Sequence, residues 1–129
     1  MKGKCSSLLF FVCFFCCVSA FAKNTTDRNE RVRVLVTTDG EIDDECSMVR
    51  FLLYSNEWDV EGIVTSSSVY HWRGDGFGGP HNWPGDDWLE PYLEAYEKVY
   101  PNLIRHEPDY PTPEYLRSIA FLGNVDYKG

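Results

Sequence analysis

Between Arg31 and Thr65 the chain runs from an apolar strand, through a turn crowded with carboxylates and an amphipathic stretch, into a second apolar strand. That order leaves few folds open. Charged and β-branched residues alternate from Arg31 and give way to Val34-Leu35-Val36, which predicts a strand whose second half is buried on both faces. From about Asp43 to Ser55, the residues Cys46, Met48, Val49, Leu52 and Leu53 recur at helical intervals and form one core-facing stripe. Val60 to Thr65 is the second strand. A strand, a helix and a strand within about 35 residues make a right-handed βαβ unit with parallel strands the default. Ligands of such sheets gather at the carboxyl ends of the strands, where the carboxylate turn and Ser66-Ser67-Ser68 both fall.

The fold is not expected to include the first 22 residues. Lys2 and Lys4 precede an apolar run from Leu8 to Val18 that ends in Ala20-Phe21-Ala22, the pattern of a secretory signal cut after Ala22, with Ala20 the second choice. Residues 23–30 are then a polar leader and the folded domain spans 31–129, in a secreted or periplasmic protein with no membrane contact after cleavage. A retained signal anchor is the competing reading of the same run. Cys5, Cys13, Cys16 and Cys17 depart with the signal, so Cys46 is left without a partner for an intrachain disulfide and is expected to pack as a small apolar residue. Losing Lys2 and Lys4 takes the formal net charge from -8 to about -10, which makes nucleic acid polymers and anionic membranes poor partners. Asn24-Thr25-Thr26 is a glycosylation sequon just past the cut. With two convincing strands, the chain reads as the first part of a larger α/β domain.

Beyond the second strand, glycines and prolines from Gly74 to Gly85 break any period, while Tyr70, Trp72, Phe77, Trp83 and Trp88 supply large rings. This predicts a long loop. Asp87 is a candidate cap for a helix carrying Leu89, Tyr92, Leu93, Tyr96, Val99 and Tyr100, stopped by Pro101. Thr112-Pro113 opens a further short helix that turns Tyr115, Leu116 and Ile119 inward, and no closing element is expected after Gly123.

Asp39, Glu41, Asp43, Asp44 and Glu45 lie within one turn, so the segment must repel itself, stay hydrated or bind a cation. Calcium, which takes several oxygen ligands, is the economical ion. A bound cation would acidify a water and leave one aspartate to take its proton. The alternative is structural: Asp39 caps the helix and the following acids complement its dipole. No histidine or cysteine pair has zinc-ligand spacing. By its place at the carboxyl end of the second strand Ser67 is a ligand-binding candidate or an ordinary loop entry. His71 and His81 are possible acids, sugar partners or packing residues, and Trp72, Phe77, Trp83 and Trp88 either stack on a sugar or hold the loop together.

Thr37-Thr38-Asp39-Gly40-Glu41-Ile42-Asp43-Asp44 resembles the amino-terminal signature of the nucleoside hydrolases, Asp-x-Asp-Pro-Gly-x-Asp-Asp. The longer run through Glu45-Cys46-Ser47-Met48, the Ser-Ser-Ser-x-x-His-Trp stretch and Tyr96-Glu-Lys-Val-Tyr-Pro-Asn-Leu103 are similar to the nucleoside hydrolase-like domain of the cellulose-binding Sde182 family. The resemblance implies an α/β, parallel-sheet fold and calcium-assisted attack of water on an N- or O-glycoside. It makes Asp39 the base and a metal ligand, Asp44 a calcium ligand and Asp43 a sugar contact. Thr37 stands where the hydrolases have their first aspartate, and Gly40-Glu41 replaces Pro-Gly. Family hydrolases also draw ligands from the carboxyl-terminal half of their domain. The alternatives are a carbohydrate-binding protein without catalysis and an inactive truncated fragment; the partner is a carbohydrate or nucleoside-like small molecule, in an oligomeric state the sequence does not fix.

Cleavage after Ala22 has a direct readout: intact mass of the deglycosylated exported protein is expected to place Lys23 at its amino terminus. A mass that retains Leu8 to Val18 means the signal is kept.

Overall fold

The computed structural model describes residues 31–74 and 79–126. The expected signal and leader, and Phe77 of the aromatic loop, lie outside them. Three strands form one parallel sheet in the order β1-β2-β3: β1 is Arg33–Thr38, β2 Asp59–Thr65 and β3 Ala120–Leu122. Helix α1, Ile42–Leu53, crosses from β1 to β2 with a 3₁₀ turn at Ser55–Glu57, which confirms the expected βαβ unit. Helices α2, Glu90–His106, and α3, Pro113–Ser118, follow the aromatic loop and lead into β3.

The core depends on a bulge. Val34 pairs with Val60, but Leu35 pairs with Gly62, so Glu61 is an extra residue in β2 and the side-chain alternation shifts there. Because of that shift, Val60 and Ile63, an odd number of residues apart, join Val34 and Val36 in one core. Met48 and Leu52 of α1, Trp88 and Leu89 just before α2, Leu93 and Tyr96 within it, and Leu116 of α3 join them. Tyr96 also donates from its hydroxyl to the Pro111 carbonyl at 2.8 Å, and burial pushes its pKa up to about 12.

Several expectations need correction. Leu35 is 64% exposed, so β1 is not buried on both faces; the described helices cover only one side of the sheet. The α1 stripe is narrower than its sequence suggests, since Met48 and Leu52 are buried while Val49, Leu53 and Cys46 are exposed. Pro101 does not stop α2, which runs on to His106. Proline forgoes one hydrogen bond to the preceding turn, but Pro101 and Glu97 both face water, where the freed carbonyl can be hydrated. Asp87 caps nothing with its side chain; its carbonyl accepts from Glu90 N. Thr112 does cap α3, accepting from Tyr115 N at 3.1 Å, yet Tyr115 itself is 40% exposed and sends its hydroxyl to the Val60 carbonyl. β3 was not foreseen, being three residues long with Phe121 and Leu122 exposed.

Among the described residues no helix is long and apolar enough to cross a membrane. The one-sided core makes an unequal pair of truncations. Leu116→Ala, at a fully buried position, is expected to cost about 3 kcal/mol in urea unfolding, and Leu35→Ala less than about 1 kcal/mol.

Candidate functional site

Parallel pairing brings the carboxyl ends of β1 and β2 side by side, with Ser66 N donating to the Thr38 carbonyl at 2.7 Å. The chain leaves β1 through Asp39-Gly40-Glu41, and α1 begins at Ile42 with Glu41 as its N-cap. Neither Glu41 nor Asp39 bonds the helix end through its side chain, so Asp39 is not the cap. Asp43, Asp44 and Glu45 fill the first turn of α1, where negative charge suits the helix dipole.

Asp44 folds back on the turn. Its Oδ2 accepts from Thr38 Oγ1 and from the Asp39 backbone N–H, each at 2.8 Å. Partial burial pushes this carboxyl up, but the hydrogen bonds it accepts in the turn, led by the Asp39 N–H and the Thr38 hydroxyl, together outweigh it, and the pKa lies below the ordinary aspartate value. Asp44 therefore acts on the shape of the turn. Asp43 is exposed on α1.

The groups that converge are Asp39, Glu41 and His71, each offering one ligand atom, all within 4.8 Å of one another. His71 comes from the segment after β2, tied down by Ser68 N donating to the His71 carbonyl. Its Nδ1 lies 2.7 Å from Glu41 Oε1, yet the ring N–H does not line up for a hydrogen bond and the nitrogen is shut off from solvent. The three side chains are partly buried, His71 at 19% and Glu41 at 30% exposure.

Over the turn sits Trp88. Gly40 has φ +76°, and a Cβ there would lie 2.7 Å from Pro84 Cγ and 2.9 Å from Trp88 Cε2, so only glycine fits both the conformation and the space. Trp88 is 94% buried and packs edge-on against Tyr92, and its indole N–H has no partner among the described residues. Trp72 pairs with His81 through two backbone hydrogen bonds and stacks on its ring at 4.5 Å. Trp83 donates to Asp86 Oδ1 at 3.1 Å, and Asp86 in turn accepts from Arg73. Ser67 donates to the Asp126 carbonyl at 3.3 Å.

Of the residues singled out in the sequence, Asp39 and His71 meet. Asp44 sits beside them as a brace, while Asp43, Ser67, Trp72 and Trp83 are not part of the converging group. Glu41 was missed as a site residue, and Trp88, a candidate stacking ring in the sequence, instead roofs the turn. Glu41 carried a signal, because it occupies a position where the hydrolase signature has glycine. A 280 Å³ cavity lined by Trp58, Asp59, Tyr110 and Tyr115 lies at the other end of the strands, away from these carboxylates.

A family model described as cellulose-binding Sde182, nucleoside hydrolase-like domain, matches residues 33–129. A solved structure of a nucleoside hydrolase-related hypothetical protein from Saccharophagus degradans, associated with carbohydrate metabolism, is 37% identical and superposes with a TM-score of 0.59. The match covers 72% of this chain and 21% of that one. No curated protein matches the chain.

Two substitutions test this geometry. Gly40→Ala is expected to cost more than about 1 kcal/mol of stability and to shift tryptophan fluorescence, because the new methyl must displace Pro84 or Trp88. Asp44 has a depressed folded pKa, so its contribution is full above its unfolded pKa and is lost as pH falls through the folded value. Unfolding curves of the wild type and Asp44→Ala should therefore differ at neutral pH and converge in acid.

Proposed function

Because the chain belongs to the cellulose-binding Sde182, nucleoside hydrolase-like family, we propose that it supplies the water-activating side of a glycoside-hydrolysing site in an exported protein. The observation that supports this most is the position of Asp39. It stands at the carboxyl end of β1, partly buried, in a turn shaped by Asp44 and roofed by Trp88.

Asp39 takes a proton from a water whose oxygen attacks the anomeric carbon of an N- or O-glycoside. The glycosidic bond breaks through an oxocarbenium-like transition state, its electron pair leaves with the departing atom, and that atom collects a proton from solvent. Asp43 on the exposed first turn of α1 is the proposed contact to sugar hydroxyls. Calcium is the ion that the carboxylates Asp39 and Asp44 would call for, with charge neutralisation at the turn as its chemistry. The described side chains fit it poorly. Calcium seeks about six to eight oxygens, whereas Asp44 Oδ2 is taken up by the turn and the third converging group is an imidazole.

A binding role without cleavage is the second reading, favoured by the family's cellulose-binding description and by the pinned aromatic loop. There Trp72 and Trp83 offer ring faces to a sugar, with Ser67 and His71 as polar contacts.

One comparison separates the two, made on the protein as secreted with nitrophenyl glycosides, nucleosides and cello-oligosaccharides. Asp39→Asn is expected to lower turnover by about 10²-fold or more while sparing sugar affinity. Turnover that survives this change removes Asp39 from catalysis. A protein that turns over none of these compounds, yet loses cello-oligosaccharide affinity in Trp72→Ala or Trp83→Ala, is a binding module.

A further inference from the structure

We infer that Asp39, Glu41 and His71 form a site for a nitrogen-accepting divalent ion of the zinc class, in preference to calcium. The inference rests on the reading that the acidic turn holds a cation.

The first argument is the donor set. Two carboxylate oxygens and one imidazole nitrogen within 4.8 Å make three protein ligands of the kind a zinc site with an open position uses, with bonds of about 2.0–2.2 Å. Calcium gains little from nitrogen, while imidazole suits zinc, copper, iron and nickel.

The second argument is the state of His71. Its Nδ1 is buried and 2.7 Å from a carboxylate oxygen, a separation at which a hydrogen bond is normal, but the ring is turned so that none forms. A buried ring nitrogen that touches a carboxylate oxygen without an aligned hydrogen bond leaves its hydrogen-bonding capacity unused. An ion placed between the two would satisfy both atoms, with a small opening of the pair.

The third is independent of the cluster. Trp88 is 94% buried with an indole N–H unpartnered among the described residues, and its Cε2, the carbon bonded to that nitrogen, lies against Gly40, between Asp39 and Glu41 in sequence. Buried donors are almost always paired. A water or anion completing the ion's coordination would give this N–H an acceptor.

Glu41 carries the difference from calcium chemistry. It replaces a glycine of the hydrolase signature, and it supplies the oxygen nearest His71. The acid that departs from the signature is thus the one that touches the imidazole.

The experiment uses the secreted protein stripped with chelator and dialysed against Zn²⁺ or Ca²⁺ alone, with Co²⁺ as a spectroscopic substitute. Expected are one Zn²⁺ not displaced by excess Ca²⁺, a visible Co²⁺ absorption band, and loss of both in His71→Ala. Zn²⁺ affinity should fall more than about tenfold in His71→Ala and in Glu41→Gln, and stay unchanged in His106→Ala. Circular dichroism of each variant separates a lost ligand from a lost fold. Zn²⁺ affinity unchanged in folded His71→Ala and Glu41→Gln overturns the proposal. Calcium binding without zinc also overturns it while leaving a cation at the turn, and binding of neither ion removes both. Zinc binding in a protein that hydrolyses nothing leaves the ion preference standing without the catalytic role.

Discussion

The parallel pairing of β1 with β2 is the constraint on which the remaining arrangement depends. Parallel neighbours cannot be joined by a tight turn, so the chain must cross over, and α1 is the crossover. The same pairing puts both carboxyl ends at one edge of the sheet. Asp39 and Glu41 leave from one strand there and the segment bearing His71 leaves from the other. Ionisable groups separated by a helix and a strand in sequence become neighbours without any local motif that joins them.

The turn itself is built by competition between burial and hydrogen bonding. Asp44 gives up some solvation to accept hydrogen bonds in the turn, led by those from the Asp39 N–H and Thr38, which together decide the outcome. This fixes the backbone that carries Asp39. The Gly40 turn and Trp88 supply the other constraint, since the positive φ and the missing Cβ let a large ring lie directly over the turn. One brace comes from α1 and the other from the turn just before α2, so the two helices are linked through the site as well as through the core.

The βαβ unit was legible because its apolar positions recur with clear periods, and the cap at Thr112 because its chemistry is local. β3 was not legible: three residues, two of them exposed, carry no period. The length of α2 was misread because proline's cost inside a helix depends on what surrounds the freed carbonyl, which the sequence does not show. At the site, the acidic turn was readable as a whole, but the division of labour within it was not. Asp44 and Glu41 are both acids in the same stretch, and only the fold sends one back to the strand and the other toward His71. Trp88 was one of several rings in the sequence; its place over Gly40 belongs to tertiary structure.

The contact between Trp88 and Gly40 also bears on the order in which the molecule assembles. The bond from Asp44 to Thr38 joins residues six apart, whereas Trp88 meets Gly40 across β2 and the whole aromatic loop, a closure of greater entropic cost. Loop-closure entropy therefore predicts that the turn forms before its roof. Interactions that arise after the rate-limiting step act mainly on unfolding. A tighter contact between Trp88 and the turn would accordingly lengthen the lifetime of the folded chain while barely changing how fast it is reached.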